Sequence, residues 1–397
     1  MGLRPGLDRI RALLKRLDNP QRRFATVLIA GTNGKGSTAR ALATILTADG
    51  RRTGLFLSPH LSHYRERFVL DGREIEGDRL LGLIRAIRPH VEATGATFFE
   101  ASAALAMLYF AEAGAEVAVL EVGLGGRLDA TNAADPVLSL ITAIGYDHTA
   151  FLGDNLAAIA REKAGILRPG VPACTSATGE ALATIEQVAH ELGVPLEPVR
   201  PDFVVARPRG IRFGLAGRVY NAPLLGRHQG ENLALAVRAA RTLGVREEVI
   251  ERGLARTFHP GRLELLGPYL LDGAHNAEGA RALARALKDH FRDDPRVLVF
   301  AASRDKNLQG MADALAGLFQ AVYLTRYPGE RSADPEDLRA LFPRARLEPE
   351  PLAAVARARR ENPGARVVVA GSLYLLGAVR PHLLEEVGAN AGGAEVG

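Results

Sequence analysis

Residues 24–40 constrain this chain more than any other stretch, because they join an apolar strand, a glycine-rich turn and a helix. Residues 26–30 are a short apolar run with β-branched members, which is typical of a strand buried on both faces. The turn Gly31-Thr-Asn-Gly-Lys-Gly36 follows, and from Ser37 onward apolar residues recur at helical spacing. A glycine turn at a helix N-terminus predicts a phosphate site, to which Lys35 adds a positive charge.

The loop departs from the usual phosphate-binding spacing in one respect. In the usual motif a Ser or Thr directly follows the lysine and binds Mg²⁺. Here Gly36 occupies that position, and Ser37 comes one residue later. If the loop binds ATP, the Mg²⁺ ligands therefore have to come from elsewhere in the chain. The alternative, a glycine turn with a solvated lysine, is disfavoured by the flanking strand and helix.

Composition excludes several classes of function. The chain has 397 residues, 24% of them charged, and its formal charge of +5 is too small an excess to predict a nucleic-acid partner. Lys35 and Lys163 are two of only five lysines in an arginine-rich chain. A single cysteine, Cys174, excludes an internal disulfide and fits a reducing cytoplasm. No secretory signal and no apolar run of about 18 residues is present, so no membrane association is expected.

Strands and helices alternate along most of the chain, which predicts an α/β protein with ligands at the C-terminal ends of parallel strands. Residues 196–226 differ, because they are rich in Pro and Gly and contain short alternating runs typical of antiparallel strands. The strand and helix pattern restarts near residues 258–262. We therefore predict a doubly wound N-terminal ATP-binding domain with a small appended antiparallel sheet (1–258), a smaller Rossmann-like C-terminal α/β domain (259–387) and a disordered tail (388–397).

Four polar clusters follow predicted strands or flank them, at residues 121–132, 145–148, 161–165 and 271–276. Glu121 and His148 are candidate Mg²⁺ ligands, because a carboxylate oxygen suits this hard ion, although histidine is a less usual ligand. Glu121 could instead be an ion-pair partner, and His148 a polar residue at the edge of the core. Asp272 could form a turn or cap the helix that follows it.

Taken in order, these motifs resemble the folylpolyglutamate synthase and dihydrofolate synthase family, within the Mur ligase superfamily of ATP-dependent amide ligases. Ala103 and Ala277 depart from residues that are common in the family, but neither is assigned to chemistry. The resemblance extends over most of the chain and rests on Gly31-Thr-Asn-Gly-Lys-Gly-Ser37, Ser58-Pro-His-Leu61, Glu66-Arg67, Phe99-Glu100, residues 121–132, Ile144-Gly145, Asp147-His148, Glu162-Lys-Ala-Gly-Ile166, His228-Gln229, Asn232, Pro260-Gly-Arg262, Asp272-Gly-Ala-His-Asn276, Asp305-Lys306 and Gly371-Ser-Leu-Tyr374.

The resemblance implies a role for each matching residue. The ATP phosphates would be held by Gly31, Thr32, Asn33, Gly34, Lys35, Gly36 and Ser37. The nucleotide would also contact Asn232, Arg262 and Asp272, and Mg²⁺ would be bound by Ser58, Glu121 and His148. The catalytic group would comprise Lys35, Lys163 in carbamylated form, and His275. Asp129 would lie near the pterin, and Lys306 on the acyl-phosphate or glutamate side. The alternative for Lys163 is an ordinary salt-bridged lysine.

The implied reaction is activation of a carboxylate. ATP would phosphorylate dihydropteroate or the terminal glutamate of a folate, and the amine of L-glutamate would then displace phosphate. One alternative is another amide ligase of the superfamily with a different acceptor. The other is an ATPase or regulatory nucleotide-binding module with the same phosphate loop, but such a protein would not need the motifs of the second half. We expect small-molecule partners only, and a cytoplasmic monomer.

Overall fold

The structure is a computed structural model that describes residues 6–147 and 149–392. Its elements up to residue 255 are α1 (Asp8–Arg16), β1 (Ala25–Ala30), α2 (Lys35–Ala48), β2 (Thr53–Phe56), β3 (Phe68–Leu70), β4 (Arg73–Glu74), α3 (Gly77–Thr94), α4 (Phe98–Glu112), β5 (Val117–Glu121), β6 (Pro136–Ile141), α5 (Thr149–Leu152), α6 (Leu156–Ala164), β7 (Ala173–Thr175), α7 (Gly179–Leu192), β8 (Leu196–Pro198), β9 (Phe203–Arg207), β10 (Gly210–Leu215), β11 (Arg218–Ala222), α8 (His228–Thr242) and α9 (Glu247–Ala255). We call this part the first half.

The elements that follow form the second half. They are β12 (Glu264–Leu266), β13 (Tyr269–Asp272), α10 (Ala277–His290), β14 (Arg296–Phe300), α11 (Leu308–Leu315), β15 (Ala321–Leu324), α12 (Pro335–Arg339), β16 (Arg346–Leu347), α13 (Pro351–Glu361), β17 (Arg366–Ala370) and α14 (Leu373–Gly392). Short 3₁₀ turns occur at Pro20–Arg22, Tyr64–Arg67 and Ala130–Ala133.

The large sheet of the first half has the order β4-β3-β2-β5-β1-β6-β7-β8. In this order, all neighbouring strands from β2 to β8 are parallel. Strand β1 is central, with Ile29 paired to Glu121 on β5 and Ala30 paired to Ile141 on β6. The carboxyl ends of these three strands therefore lie side by side. The glycine loop, Glu121 and the segment after β6 all emerge there, as expected for a ligand site in a doubly wound sheet.

The Pro- and Gly-rich segment forms the antiparallel sheet β11-β10-β9. Its inner face packs against the rest of the first half. The buried rings of Phe213 and Tyr220 lie on this face and stack with their centroids 5.3 Å apart. These rings belong to the same apolar cluster as buried residues of α2 and α8. The appended antiparallel sheet predicted from the sequence is confirmed.

The sheet of the second half has the order β12-β13-β17-β14-β15-β16, with only β12 antiparallel. Residues 367–369 are all fully buried, because helices cover both faces of the sheet. Asp272 pairs with Ala370, so the turns after β13 and β17 emerge together. The α/β class predicted for both halves is confirmed.

The predicted disordered tail from residue 388 is wrong for residues 388–392, because α14 continues through Gly392. Val387 packs against the apolar cluster of the second half and holds the helix down at this point. Ala389 favours helix, and one glycine costs only about 1 kcal/mol in a helix interior. Residues 393–397 lie outside the described residues. The domain boundary at 258/259 remains a prediction.

No helix among the described residues combines the length and the apolar character that a membrane-crossing helix needs.

Candidate active site

The glycine loop fits closely between two other elements. Gly34 has φ +91°, and a Cβ there would lie 2.1 Å from Oδ1 of Asn232 on α8. Gly31 has φ +148°, and a Cβ there would lie 1.8 Å from Oγ1 of Thr142, just after β6. Both positions therefore require glycine, for backbone conformation and for space. Asn232 therefore lies against the loop, and its contact with the nucleotide remains a prediction.

Lys35 and Lys163 meet at one backbone oxygen of this loop. Lys35 Nζ donates to the carbonyl oxygens of Gly31 (3.0 Å) and Thr32 (3.2 Å), and Lys163 Nζ donates to the same Gly31 oxygen at 2.8 Å. Burial, followed by the charge of Lys35, lowers the pKa of Lys163 to about 7. Burial also lowers the pKa of Lys35, against the attraction of Glu121 and Asp147. A large fraction of Lys163 is therefore an uncharged amine at neutral pH.

The polar side chains of the loop contact other elements. Thr32 Oγ1 donates to the carbonyl of Gly145 at 3.1 Å. Asn33 Nδ2 donates to Oε2 of Glu278 on α10 at 2.8 Å, which joins the loop to the second half. Ser37 Oγ lies 3.0 Å from Nδ1 of His259, and burial lowers the pKa of that histidine well below its usual value. The Ser37 hydroxyl therefore contacts a neutral imidazole.

Two of the three predicted Mg²⁺ ligands lie together beside the loop. Glu121 Oε2 accepts a hydrogen bond from the backbone N–H of Ser58 at 2.8 Å. Burial raises the pKa of Glu121 in spite of the nearby positive charge of Lys35. A buried carboxylate next to a serine suits a hard cation such as Mg²⁺. His148 lies outside the described residues, and within them no group of three His, Cys, Asp or Glu residues could hold a metal.

The glycine loop opens onto a cavity of about 550 Å³, which we call the polar cavity. Its second-half wall includes Arg262 and Asp272. Arg262 Nη1 donates to the carbonyl of Gly273 at 3.2 Å, and Asp272 accepts from the N–H groups of Leu263 (2.9 Å) and Ala274 (3.0 Å). Asp272 thus shapes the turn after β13.

The alternative role of Asp272 as the cap of α10 is wrong. The N-cap of that helix is Asn276, whose Oδ1 accepts from Gly279 N–H at 2.8 Å.

Asp147 is a functional candidate for which no role was predicted from the sequence. Its Oδ1 lies 2.5 Å from Lys306 Nζ, and its Oδ2 lies 3.3 Å from Asn276 Nδ2 and 3.6 Å from His275 Nε2. The Asp147 and Lys306 side chains are only 9% and 8% exposed. His275 Nδ1 donates to Gly273 O at 2.9 Å, so its Nε2 faces Asp147. The one sequence signal was the position of Asp147 directly before His148, after β6.

A second cavity of about 530 Å³, the apolar cavity, lies beside the first. Its first-half wall carries Phe98, Phe99, Leu124 and Leu128, and its other end carries Lys306. The residues that line both cavities, which we call the shared wall, are Ser58, Pro59, Gly123, His275 and Leu373.

Asp129 lines the apolar cavity, but its carboxylate is engaged by the protein. Oδ2 accepts from Gly123 N–H and Leu124 N–H, both at 3.0 Å, and Oδ1 accepts from Thr131 N–H (3.0 Å) and Thr131 Oγ1 (2.6 Å). Asp129 therefore fixes the turn that forms part of the cavity wall.

The predicted site residues thus fall into two groups. Lys163 adjoins the polar cavity through Gly31, and Asp129, His275 and Lys306 line the apolar cavity. The polar cavity is lined by Gly31, Thr32, Asn33, Gly34, Lys35, Gly36, Ser37, Ser58, Glu121, Asn232, Arg262, Asp272 and His275. Sequence reasoning missed the contributions of Asp147, Asn276 and Glu278, although Asp147 and Asn276 stand inside motifs that it quoted.

Comparison with known proteins identifies the family. The Mur ligase middle domain matches residues 29–177, and the Mur ligase glutamate ligase domain matches residues 261–373. A dihydrofolate synthase/folylpolyglutamate synthase from Bacillus subtilis is 36% identical over 85% of this chain and 84% of its own length. A probable bifunctional folylpolyglutamate synthase/dihydropteroate synthase from Haloferax volcanii is 37% identical over 95% of this chain, which spans only 48% of that longer protein.

The fold agrees with this assignment. The crystal structure of Mycobacterium tuberculosis folylpolyglutamate synthase, complexed with ADP and AMPPCP, matches with a TM-score of 0.90 and 32% identity, over 96% of each chain. The two adjoining cavities, the order of the sequence motifs and the matches to these relatives all indicate the same family. The chain belongs to the folylpolyglutamate synthase and dihydrofolate synthase family of ATP-dependent glutamate ligases.

Proposed function

We propose that this protein joins L-glutamate to dihydropteroate or to a folate (poly)glutamate, through an acyl phosphate formed from ATP. The observation that carries the proposal is the shared wall, where a phosphate-binding cavity meets an apolar one. Transfer of a phosphoryl group from ATP to a carboxylate requires the two reactants to be held in contact. A simple ATPase has no need for the apolar cavity.

The glycine loop and Lys35 are proposed to hold the phosphates. The backbone N–H groups at the start of α2 and the positive end of the helix attract the anion, and the charge of Lys35 stabilises the phosphoryl group in transfer. Ser58 and Glu121 would hold Mg²⁺, which neutralises phosphate charge when bound. Asn232, Arg262 and Asp272 would contact the rest of the nucleotide from the walls of the polar cavity.

The apolar cavity is proposed to take the acceptor. Phe98 and Phe99 offer aromatic faces to a pterin or aminobenzoyl ring, and the turn fixed by Asp129 shapes that wall. Lys306 and Arg331, at the second-half end, would attract the carboxylates of glutamate. His275 lies in the shared wall with Nδ1 bound to Gly273 O, and its Nε2, which faces Asp147 at 3.6 Å, would take a proton from the attacking amine.

Lys163 is proposed to act as a carbamate. Reaction with CO₂ requires the uncharged amine, and a pKa of about 7 provides it. The carbamate would replace a second cation beside Lys35 with an anion that carries oxygen ligands, which suits a site for Mg²⁺.

We further propose a cytoplasmic monomer. The described residues of a single chain supply both cavities and their shared wall, which supports the monomer. The single cysteine, Cys174, is free and buried, which is consistent with a reducing compartment. Light scattering during size-exclusion chromatography gives the mass in solution, and a dimer mass would refute the monomer.

The proposed function is tested by assaying the purified protein with dihydropteroate and with tetrahydrofolate in parallel, and detecting glutamylated products by mass. We expect product and ADP only when ATP, Mg²⁺, L-glutamate and one of these acceptors are all present. ATP turnover without an acceptor would favour an ATPase. Turnover that requires glutamate and some other acceptor would favour a different ligase of the superfamily.

A further inference from the structure

Arg67 is a buried arginine to which the proposed mechanism assigns no role. It ends the 3₁₀ turn Tyr64–Arg67 and is only 7% exposed. Its guanidinium carbon lies 5.7 Å from the ring centroid of Tyr64 and 5.6 Å from that of Phe98. Both distances are within the range of cation–π contact, so two rings fix the position of the charge.

One side of the guanidinium is bonded and the other is available. Nε of Arg67 donates to Nδ1 of His60 at 2.9 Å. Among the residues that the structure describes, the two Nη nitrogens have no hydrogen-bond acceptor, and no carboxylate forms an ion pair with Arg67. Arg67 itself lines the apolar cavity. Within the described part of the chain, the Nη pair is therefore available to a ligand.

The carboxylates that line the same cavity have other partners. Glu100 Oε2 accepts from Thr97 N–H and Arg9 Nε, although Glu100 Oε1 has no hydrogen-bond partner among the described residues. Asp129 accepts from backbone N–H groups, and Glu162 is paired with Arg127. The Arg67 guanidinium has lost part of its water and has no anion among the described residues in exchange, while its Nη nitrogens still reach the cavity. Its planar Nη pair matches a carboxylate, which can accept two parallel hydrogen bonds.

We propose that Arg67 binds the carboxylate of the acceptor and thereby presents it to the nucleotide across the shared wall. This inference rests on the proposed function. Phe98, one of the two rings that contact Arg67, lines the first-half side of the apolar cavity, where the ring of the acceptor is expected. Ser58 and Pro59, in the shared wall, line the same cavity. The carboxylates of incoming glutamate would instead be held by Lys306 and Arg331 at the other end.

The test compares Arg67→Gln and Arg67→Lys with the wild type in KM for dihydropteroate, glutamate and ATP. We expect roughly a 10- to 100-fold rise in KM for dihydropteroate in Arg67→Gln, the size associated with losing a charged hydrogen-bond pair. Arg67→Lys keeps the charge but loses the planar pair and should also be impaired. KM for glutamate and ATP should stay within about twofold.

The matched control is Arg241→Gln. Arg241 also lies over a tyrosine ring, 5.9 Å from the Tyr220 centroid, but it is paired with Glu247 and lines neither cavity. Its substitution should leave all three KM values within about twofold of the wild type. Thermal unfolding and ADP binding of the Arg67 variants verify that they fold.

A binding comparison separates a carboxylate contact from a structural role. Arg67→Gln should weaken binding of dihydropteroate but leave unchanged the binding of an analogue without the carboxylate. Equal losses for both compounds, an unchanged KM for dihydropteroate, or a rise in KM for glutamate instead would overturn the inference. If the wild type glutamylates neither acceptor, the proposed function itself fails, which is a separate result.

Discussion

At the scale of single residues, the notable arrangement is two lysines that donate to one carbonyl oxygen. Lys35 and Lys163 both bond to Gly31 O, and burial, with a smaller contribution from the charge of Lys35, lowers the pKa of Lys163 to about 7. One lysine remains suited to phosphate, and the other is available as an amine. Burying two positive charges side by side costs free energy, and this cost falls when Lys163 loses its charge.

For Lys163 we predict that Lys163→Ala has lost nearly all ligase activity and that added acetate restores part of it, by filling the vacated anion position. Lys163→Arg should stay inactive with or without acetate, because a guanidinium keeps its charge. The wild type supplied with ¹³CO₂ should show a carbamate signal in ¹³C NMR above pH 7 and lose it below, since protonation of the amine removes the reactive form. Full activity of Lys163→Arg would exclude the carbamate.

At the scale of elements, helix α10 contacts the first half at both of its ends. Near its start, Glu278 accepts from Asn33 of the glycine loop. At its end, Asp289 is paired with Arg227, and His290 accepts from Gly226 N–H at Nε2 (3.0 Å) and lies 3.0 Å from Arg207 O at Nδ1. Since a carbonyl can only accept, Nδ1 carries the proton and the ring is neutral. The helix also lines the polar cavity between these contacts.

For His290 we predict a pH-dependent contribution to stability. Burial lowers its pKa below 6.5, and of its charged neighbours Asp289 opposes this shift while Arg227 adds to it. The unfolded ring takes up a proton as the pH falls through about 6.5, whereas the folded ring resists. The stabilising effect is therefore present above pH 6.5 and declines below it. In His290→Gln, the amide can form both hydrogen bonds at any pH.

The measurement is urea unfolding at pH 7.5 and pH 5.5. We expect the wild type to lose more of its free energy of unfolding between these values than His290→Gln does. His190→Gln, at an exposed position in the last turn of α7, is the control and should behave as the wild type. Equal losses in the wild type and His290→Gln would show that the contact does not depend on the protonation of His290.

Strands and helices that bury an apolar face were predictable, because burial leaves a pattern of apolar residues in the sequence. Residues 26–30 and 367–370 are continuous apolar runs because helices cover both sides of their sheets. The continuation of α14 past Gly388 was not predictable from the local sequence, because it follows a tertiary contact of Val387 with the apolar cluster of the second half. Sheet order was not predictable either, since β5 lies between β1 and β2 only through long-range pairing.

At the scale of the whole molecule, polar contacts between distant residues hold the two halves together around the site. Lys306 bonds to Asp147 across 159 residues of chain, and Asn33 bonds to Glu278 across 245. No local pattern carries such pairings, which is why the sequence indicated the phosphate loop and the Glu121 region but assigned no role to Asp147. The resemblance to a family predicted the roles of the site residues, and the fold showed which residues they contact.

For the whole molecule we predict that Asp147→Ala loosens the two halves. The substitution removes three contacts to the second half, one of them a nearly buried ion pair whose disruption costs about 3–5 kcal/mol. Amide hydrogen exchange in residues 31–36 and 273–279 should become at least roughly tenfold faster without ligand. Asp305→Ala, which removes an exposed ion pair within the second half, is the control. Equal exchange in both variants would contradict the prediction.

The Asp147–Lys306 pair also has a consequence for turnover. Because it joins the halves beside both cavities, we expect each catalytic cycle to break it once to admit ligands and again to release ADP and product. We therefore expect the slow step of the cycle to be this opening, and kcat to fall as a viscous additive slows the motion of the halves. A kcat independent of viscosity would instead make bond formation the slow step.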